Sequence, residues 1–100
     1  MVRHIVMFKL KAFETEAAKM AKIQEIKQAL EALADKIDVL RMIRVDYNIN
    51  PAETWDIILT TELDSLEDVN TYATHPEHVA VAKGIIGPVK ADRACVDYEC

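Results

Sequence analysis

The chain has 100 residues, 51% of them apolar and 29% charged, and its 12 basic against 17 acidic side chains give a formal net charge of −5. That balance describes a folded domain rather than a disordered segment, and the size suits one domain over residues 1–100 that buries only about two-thirds of its unfolded surface and gains from a partner subunit. With no basic run to meet phosphates and no apolar stretch near the roughly 18 residues of a membrane span, neither nucleic acid nor a membrane is an expected partner.

The opening Val2–Lys11 (VRHIVMFKLK) is rich in β-branched and apolar residues. It reads as a central strand covered on both sides. Lys9 and Lys11 interrupt its apolar run, and no small-residue cleavage site follows. A signal peptide is therefore not expected, and the cytosol is the expected compartment.

Glu14–Asp38 reads as a helix. Met20, Ile23, Ile26, Leu30, Leu33 and Ile37 form an apolar stripe at three- and four-residue steps, with Thr15 as N-cap. Leu40–Ile49 alternates, with Ile43, Val45, Tyr47 and Ile49 on one face, as a strand with one wetter side does. Asn50-Pro51 marks a turn, and Trp55–Leu63 is a third strand close enough to the second to make a hairpin.

Asp64 or Ser65 then caps a short helix carrying Leu66, Val69, Tyr72 and Ala73. His75-Pro76 breaks it, because the residue before proline is pushed out of helical geometry while Pro76 suits the first turn of a new helix. That helix carries His78 and ends at Gly84 or Gly87-Pro88. Arg93–Cys100 reads as a last strand.

The order β-α-β-β-α-β, with a broken second helix, is the ferredoxin-like arrangement: an α+β protomer with a four-stranded antiparallel sheet. Its helices cover one face of the sheet only. The other face is read as apolar too, from Val6, Phe8, Ile58 and Val96, and such a patch calls for a second copy across a two-fold axis. A homodimer through the sheet face is expected.

Cys95 and Cys100 are five residues apart, which on one strand points them to opposite faces, so no disulfide joins them and no zinc pattern is present. They read as a core thiol and a frayed terminal one. His75 and His78 form H-x-x-H, but Pro76 puts His75 at or before the helix start, where it is a cap; no metal is assigned. Nor is there a nucleophile elbow, a Walker sequence or a dinucleotide-binding glycine pattern.

His78 can act as a general base near neutral pH, and Tyr72 can donate a hydrogen bond to a developing oxyanion. His4 shares the even face of the first strand with Val6 and Phe8. If that face lines a cavity, these residues, with Asp56 and Ile58, are candidate ligand contacts. Asp46 and Trp55 read as surface or edge and as core or interface, respectively.

The segments VRHIVMFKLK, TYATHPEHVAVA and PVKADRACVDYE together resemble the Dabb family, the stress-responsive dimeric α/β-barrel proteins, over Val2–Glu99. The most specific part is Tyr72-x-x-His75-Pro76-x-His78 at its distance from His4. The resemblance implies a ferredoxin-like protomer that pairs with its twin to form a dimeric α/β barrel with a cavity. It assigns no single reaction. Plant polyketide cyclases of the family use a His–Tyr pair, matched here by His78 and Tyr72, and His4 matches a histidine at the cavity wall. Where those cyclases carry another histidine on the third strand, this chain has Asp56, and its first helix has no tyrosine. Two readings follow. One is a homodimer binding a small, partly apolar molecule in the barrel cavity, of unassigned activity. The other is a cofactor-independent cyclase, lyase or isomerase acting on a carbonyl compound, with His78 as base and Tyr72 as oxyanion donor.

Overall fold

The architecture was taken from a computed structural model that describes all residues, Met1–Cys100. The first strand, β1 (Val2–Leu10), is followed by helix α1 (Glu16–Glu31) and the hairpin β2 (Met42–Tyr47) and β3 (Ile57–Leu63). Two short helices, α2 (Leu66–Thr74) and α3 (Pro76–Val81), lead to the last strand, β4 (Lys90–Glu99). The sheet order is β2-β3-β1-β4, with every neighbouring pair antiparallel. No helix is long and apolar enough to cross a membrane.

Strand periodicity sets the two faces of the sheet. On β1, Val2, His4, Val6, Phe8 and Leu10 are all buried, while the odd positions between them are half-buried. The register carries this pattern across the sheet: Val6 faces Leu59 and Phe8 faces Ile57, whereas Met7 faces Ile58 and Ile5 faces Val96. Val6, Phe8 and Leu10 of the even set pack beneath the helices with Ile23, Ile26, Leu30 and Tyr72 in one core. The uncovered face carries Ile5, Met7, Ile58 and Val96, the last two exposed. Val6 and Phe8 therefore belong to the helix-covered core, not to the open face on which the alternation alone places them. A strand apolar on both sides does not reveal which side its helices choose.

The helix caps follow local chemistry. The Thr15 hydroxyl accepts from the Ala18 N–H at 3.0 Å, and the Ser65 hydroxyl accepts from Asp68 N–H at 3.1 Å. Of the two candidates for the second cap it is Ser65 that serves, while Asp64 pairs with Arg41. Helix α1 ends earlier than its apolar stripe: Ala32–Asp35 tightens into a 3₁₀ turn, and Leu33 and Ile37 enter the core from beyond the helix. The stripe reports burial, which continues after the α-helical hydrogen bonding stops. Leu66 is exposed rather than packed, and Ile49 lies beyond the end of β2 in solvent.

No glycine adopts positive φ. The chain after α3 instead widens into a π turn over Ala82–Ile86 and closes with a 3₁₀ turn at Gly87–Val89. Glycine eases the packing at position 87, where a Cβ would lie a tight 3.1 Å from the Ala82 carbonyl oxygen.

The free edge of β2 is covered from α1. Lys27 Nζ donates to the Val45 carbonyl at 2.8 Å, and Glu31 accepts from the Val45 N–H at 3.0 Å. Two edge-strand groups that would otherwise be open to another strand are thereby closed.

Candidate functional site

The break between α2 and α3 shapes the site. His75, with φ −62° and ψ 134°, leaves helical geometry, and its Nδ1 accepts from Glu77 N–H at 3.1 Å to cap α3. Pro76 starts the new helix, where its missing N–H costs nothing. The turn at His75 brings His78 back over Tyr72, with ring centroids 4.5 Å apart and planes inclined at 55°.

His78 Nδ1 lies 2.9 Å from the Ala73 carbonyl oxygen. A carbonyl only accepts, so this nitrogen carries the proton, and in neutral imidazole the lone pair is then on Nε2. Burial, outweighing the bond to Ala73, pushes the His78 pKa below the ordinary histidine value, and His4, Arg93 and His75 add to the depression. The side chain is therefore a neutral base at pH 7. Tyr72 is 1% exposed, and its hydroxyl is buried without a hydrogen-bond partner. Burial raises its pKa well beyond the ordinary phenol value, so the hydroxyl keeps its proton and is a donor in waiting.

His4 reaches the same place from β1. Its ring is edge-on to Tyr72 at 6.3 Å between centroids and 72° between planes. Together His4, Val6, Phe8, Tyr72 and His78 line a recess of about 120 Å³ between the sheet and the helices of a single protomer. Leu30, Leu59 and Ile86 complete its apolar wall, and Lys90 and Arg93 bring positive charge to it from the start of β4.

Five of the seven residues singled out in the sequence thus meet in one pocket; Asp56 and Ile58 do not. Ile58 is on the open face of the sheet, beside Met7 and Trp55, because it is one residue out of phase with Ile57 and Leu59. Asp56 precedes β3 and ties chain segments together. Its carboxylate accepts from Leu10 N–H at 2.7 Å and from Lys19 Nζ at 2.8 Å, with Lys9 Nζ at 3.4 Å. Burial works to raise its pKa, but the Leu10 amide and the two ammonium groups outweigh that and hold the carboxyl below the usual range. Both of its carboxylate oxygens are engaged in structure.

The last strand contributes residues that the sequence did not assign to the site. Arg93, Cys95 and Asp97 alternate along one side of β4, and Asp97 lies directly across from His4. His4 Nδ1 is bonded to the Asp97 carboxylate and lies 3.4 Å from Cys95 Sγ. Cys95 is an exposed residue at the sheet edge rather than a core thiol. Burial of the sulfur and then the Asp97 charge push the thiol pKa up, so Cys95 is no ready nucleophile. The two-residue period of RACVDY was legible; that it runs beside His4 depends on the β1–β4 register.

A four-stranded ferredoxin-like protomer with a polar-floored apolar pocket under a broken helix is the class that this geometry defines. The chain belongs to the Dabb family, the stress responsive A/B barrel domain, whose model matches residues 2–100. It is similar to a stress-response A/B barrel domain-containing protein of Arabidopsis thaliana, with 34% identity over 98 residues; the match covers 97% of this chain but 36% of that longer protein. It is also similar to a crystal structure of a dimeric protein of unknown function and ferredoxin-like fold from Bacteroides fragilis. There the identity is 52%, the TM-score 0.91, and the coverage 99% of this chain and 95% of the other. A dimeric ferredoxin-like protein of unknown function from Thermobifida fusca matches with 26% identity, a TM-score of 0.82, and coverage of 99% and 90%.

Proposed function

We propose that this chain forms a homodimer in which each protomer binds a small, partly apolar carbonyl compound in the pocket under the α2–α3 break. The observation that carries the reading is the Tyr72 hydroxyl, buried in the pocket wall with no partner. Leaving such a donor unsatisfied costs about 1–3 kcal/mol, a cost that a ligand oxygen removes. The apolar wall suits the body of the ligand, and Lys90 and Arg93 favour an oxygen that carries negative charge. The open sheet face, with exposed Ile58 and Val96, supports the dimer, as does the 52% identity to a protein described as dimeric.

The neutral His78 beside Tyr72 favours a second reading, catalysis without a cofactor. His78 Nε2 takes a proton from a carbon next to the carbonyl. The C–H electron pair moves into a new C=C bond, and the carbonyl π pair goes to oxygen. Tyr72 donates a hydrogen bond to the enolate oxygen, and His78 returns the proton to carbon at the end of the reaction.

The test is a thermal-shift screen of the intact protein against small aromatic acids, β-ketones and quinones, repeated with Tyr72→Phe and His78→Ala. A ligand at a hundred times its Kd adds roughly 2.7 kcal/mol. A stabilising compound whose effect fades in Tyr72→Phe supports binding. For a compound that is turned over, His78→Ala should lower kcat with little change in KM. Equal stabilisation of all three proteins would place the ligand elsewhere and remove the reading.

A further inference from the structure

The geometry points to a divalent-metal site of the zinc type at the β1–β4 edge, made by His4 Nδ1, Cys95 Sγ and an Asp97 carboxylate oxygen. These three donor atoms lie within 4.8 Å of one another. The ladder builds the cluster: Asp97 is the cross-strand partner of His4, and Cys95 is two residues before it on the same side of β4. Both the carboxylate and the sulfur converge on the same ring nitrogen. One proton on Nδ1 serves one hydrogen bond well and not two, whereas a cation among the three atoms engages all of them.

The spacing of the sulfur and nitrogen and the charges suit zinc. Tetrahedral Zn²⁺ with bonds of about 2.3 Å to sulfur and 2.0–2.1 Å to nitrogen puts those two atoms about 3.5 Å apart, close to the 3.4 Å between Sγ and Nδ1. Asp97 is a third exposed and can draw back to admit the ion, while His4 is held at 8% exposure as the fixed ligand. A thiolate and a carboxylate neutralise a divalent charge, and the mixed N/S/O set is one that zinc accepts. Three protein ligands leave a fourth position for water or another small ligand. The site borders the carbonyl pocket through His4, whose ring also lines it, but shares neither Tyr72 nor His78, the residues given the proposed chemistry.

The test is a titration of the intact, chelator-treated protein with Co²⁺, followed by Zn²⁺ competition, with native mass spectrometry for stoichiometry. The expected result is one ion per protomer and a thiolate-to-cobalt charge-transfer band that Zn²⁺ abolishes. The band should vanish in Cys95→Ser and persist in Cys100→Ser. Asp97→Asn and His4→Gln should each weaken binding by more than the roughly 10- to 100-fold that follows loss of a residue merely orienting a ligand. Absence of the band from the wild-type protein overturns the proposal, as does a band that follows Cys100 or binding indifferent to His4 and Asp97. Circular dichroism of Cys95→Ser, a conservative change at an exposed edge position, separates loss of the site from loss of the fold. The readout is metal binding, so its outcome does not depend on any turnover.

Discussion

Tyr72 and His78 face each other at 4.5 Å between ring centroids although a helix break separates them in sequence. On one uninterrupted helix, residues six apart point about 120° away from each other. Pro76 and the extended backbone of His75 cancel that divergence. The break makes the pair.

Removal of the Tyr72 hydroxyl provides the sharpest test of the pocket. Tyr72→Phe deletes an unpaired buried donor and keeps the ring. Stability in urea should be unchanged or rise by about 1 kcal/mol, the opposite of the usual result for a buried tyrosine. A fall of that size would mean that the hydroxyl has a partner in solution.

The pH dependence tests His78. Its folded pKa lies below the ordinary histidine value of 6.5. As pH falls from above 6.5, the unfolded chain takes up the proton first, so this residue contributes stability at neutral pH that is lost as the pH descends through the window from 6.5 to the folded pKa. An NMR titration of the ring should give a midpoint below 6.5, and the wild-type loss of stability in that window should shrink in His78→Gln. A midpoint at or above 6.5 would contradict the burial that makes it a base.

Asp56 differs from His78 in that its charged form is the one the fold favours, although its contribution is likewise lost on acidification. Its carboxyl is held below the usual range, so its contribution is complete above the unfolded pKa and disappears as pH falls through the folded one. Asp56→Ala leaves the buried Leu10 amide unpaired and frees Lys19. The expected loss, read from urea unfolding at pH 7, is about 1–3 kcal/mol, and the loss should narrow below pH 4 or so as the wild-type carboxyl protonates.

The two glycines should respond in opposite directions. A Cβ on Gly84 meets nothing within 4 Å, and its φ is not positive. Gly84→Ala should therefore add roughly 0.4–1 kcal/mol by reducing the freedom of the unfolded chain. Gly87→Ala drives a methyl against the Ala82 carbonyl and should destabilise by about 1 kcal/mol or more. Thermal melts of the two variants decide both.

The open face of the sheet predicts its own disruption. Val96→Lys puts a charge on the edge-strand side of the apolar patch that Val96 forms with Ile5, Met7 and Ile58. Sedimentation should show a dimer for the wild type and a monomer for the variant. An unchanged dimer would place the interface elsewhere.

Local chemistry was enough to determine the element order, the cap at Thr15, a second cap narrowed to Asp64 or Ser65, the break at His75-Pro76 and the antiparallel hairpin. Each depends on hydrogen bonds or sterics among residues close in sequence. The Tyr72–His78 partnership with His4 was legible through the family resemblance rather than through spacing. Which face of β1 the helices cover, and hence that Val6 and Phe8 line the pocket while Ile58 lies behind the sheet, was decided only by the packing of the whole molecule. The same holds for Asp56, which lies near two lysines and an amide that are distant in sequence, and for Cys95 and Asp97 beside His4. A strand's two-residue period specifies which side chains share a face, but not which neighbour it pairs with or in what register. Those are settled by long-range contacts that only the assembled sheet provides.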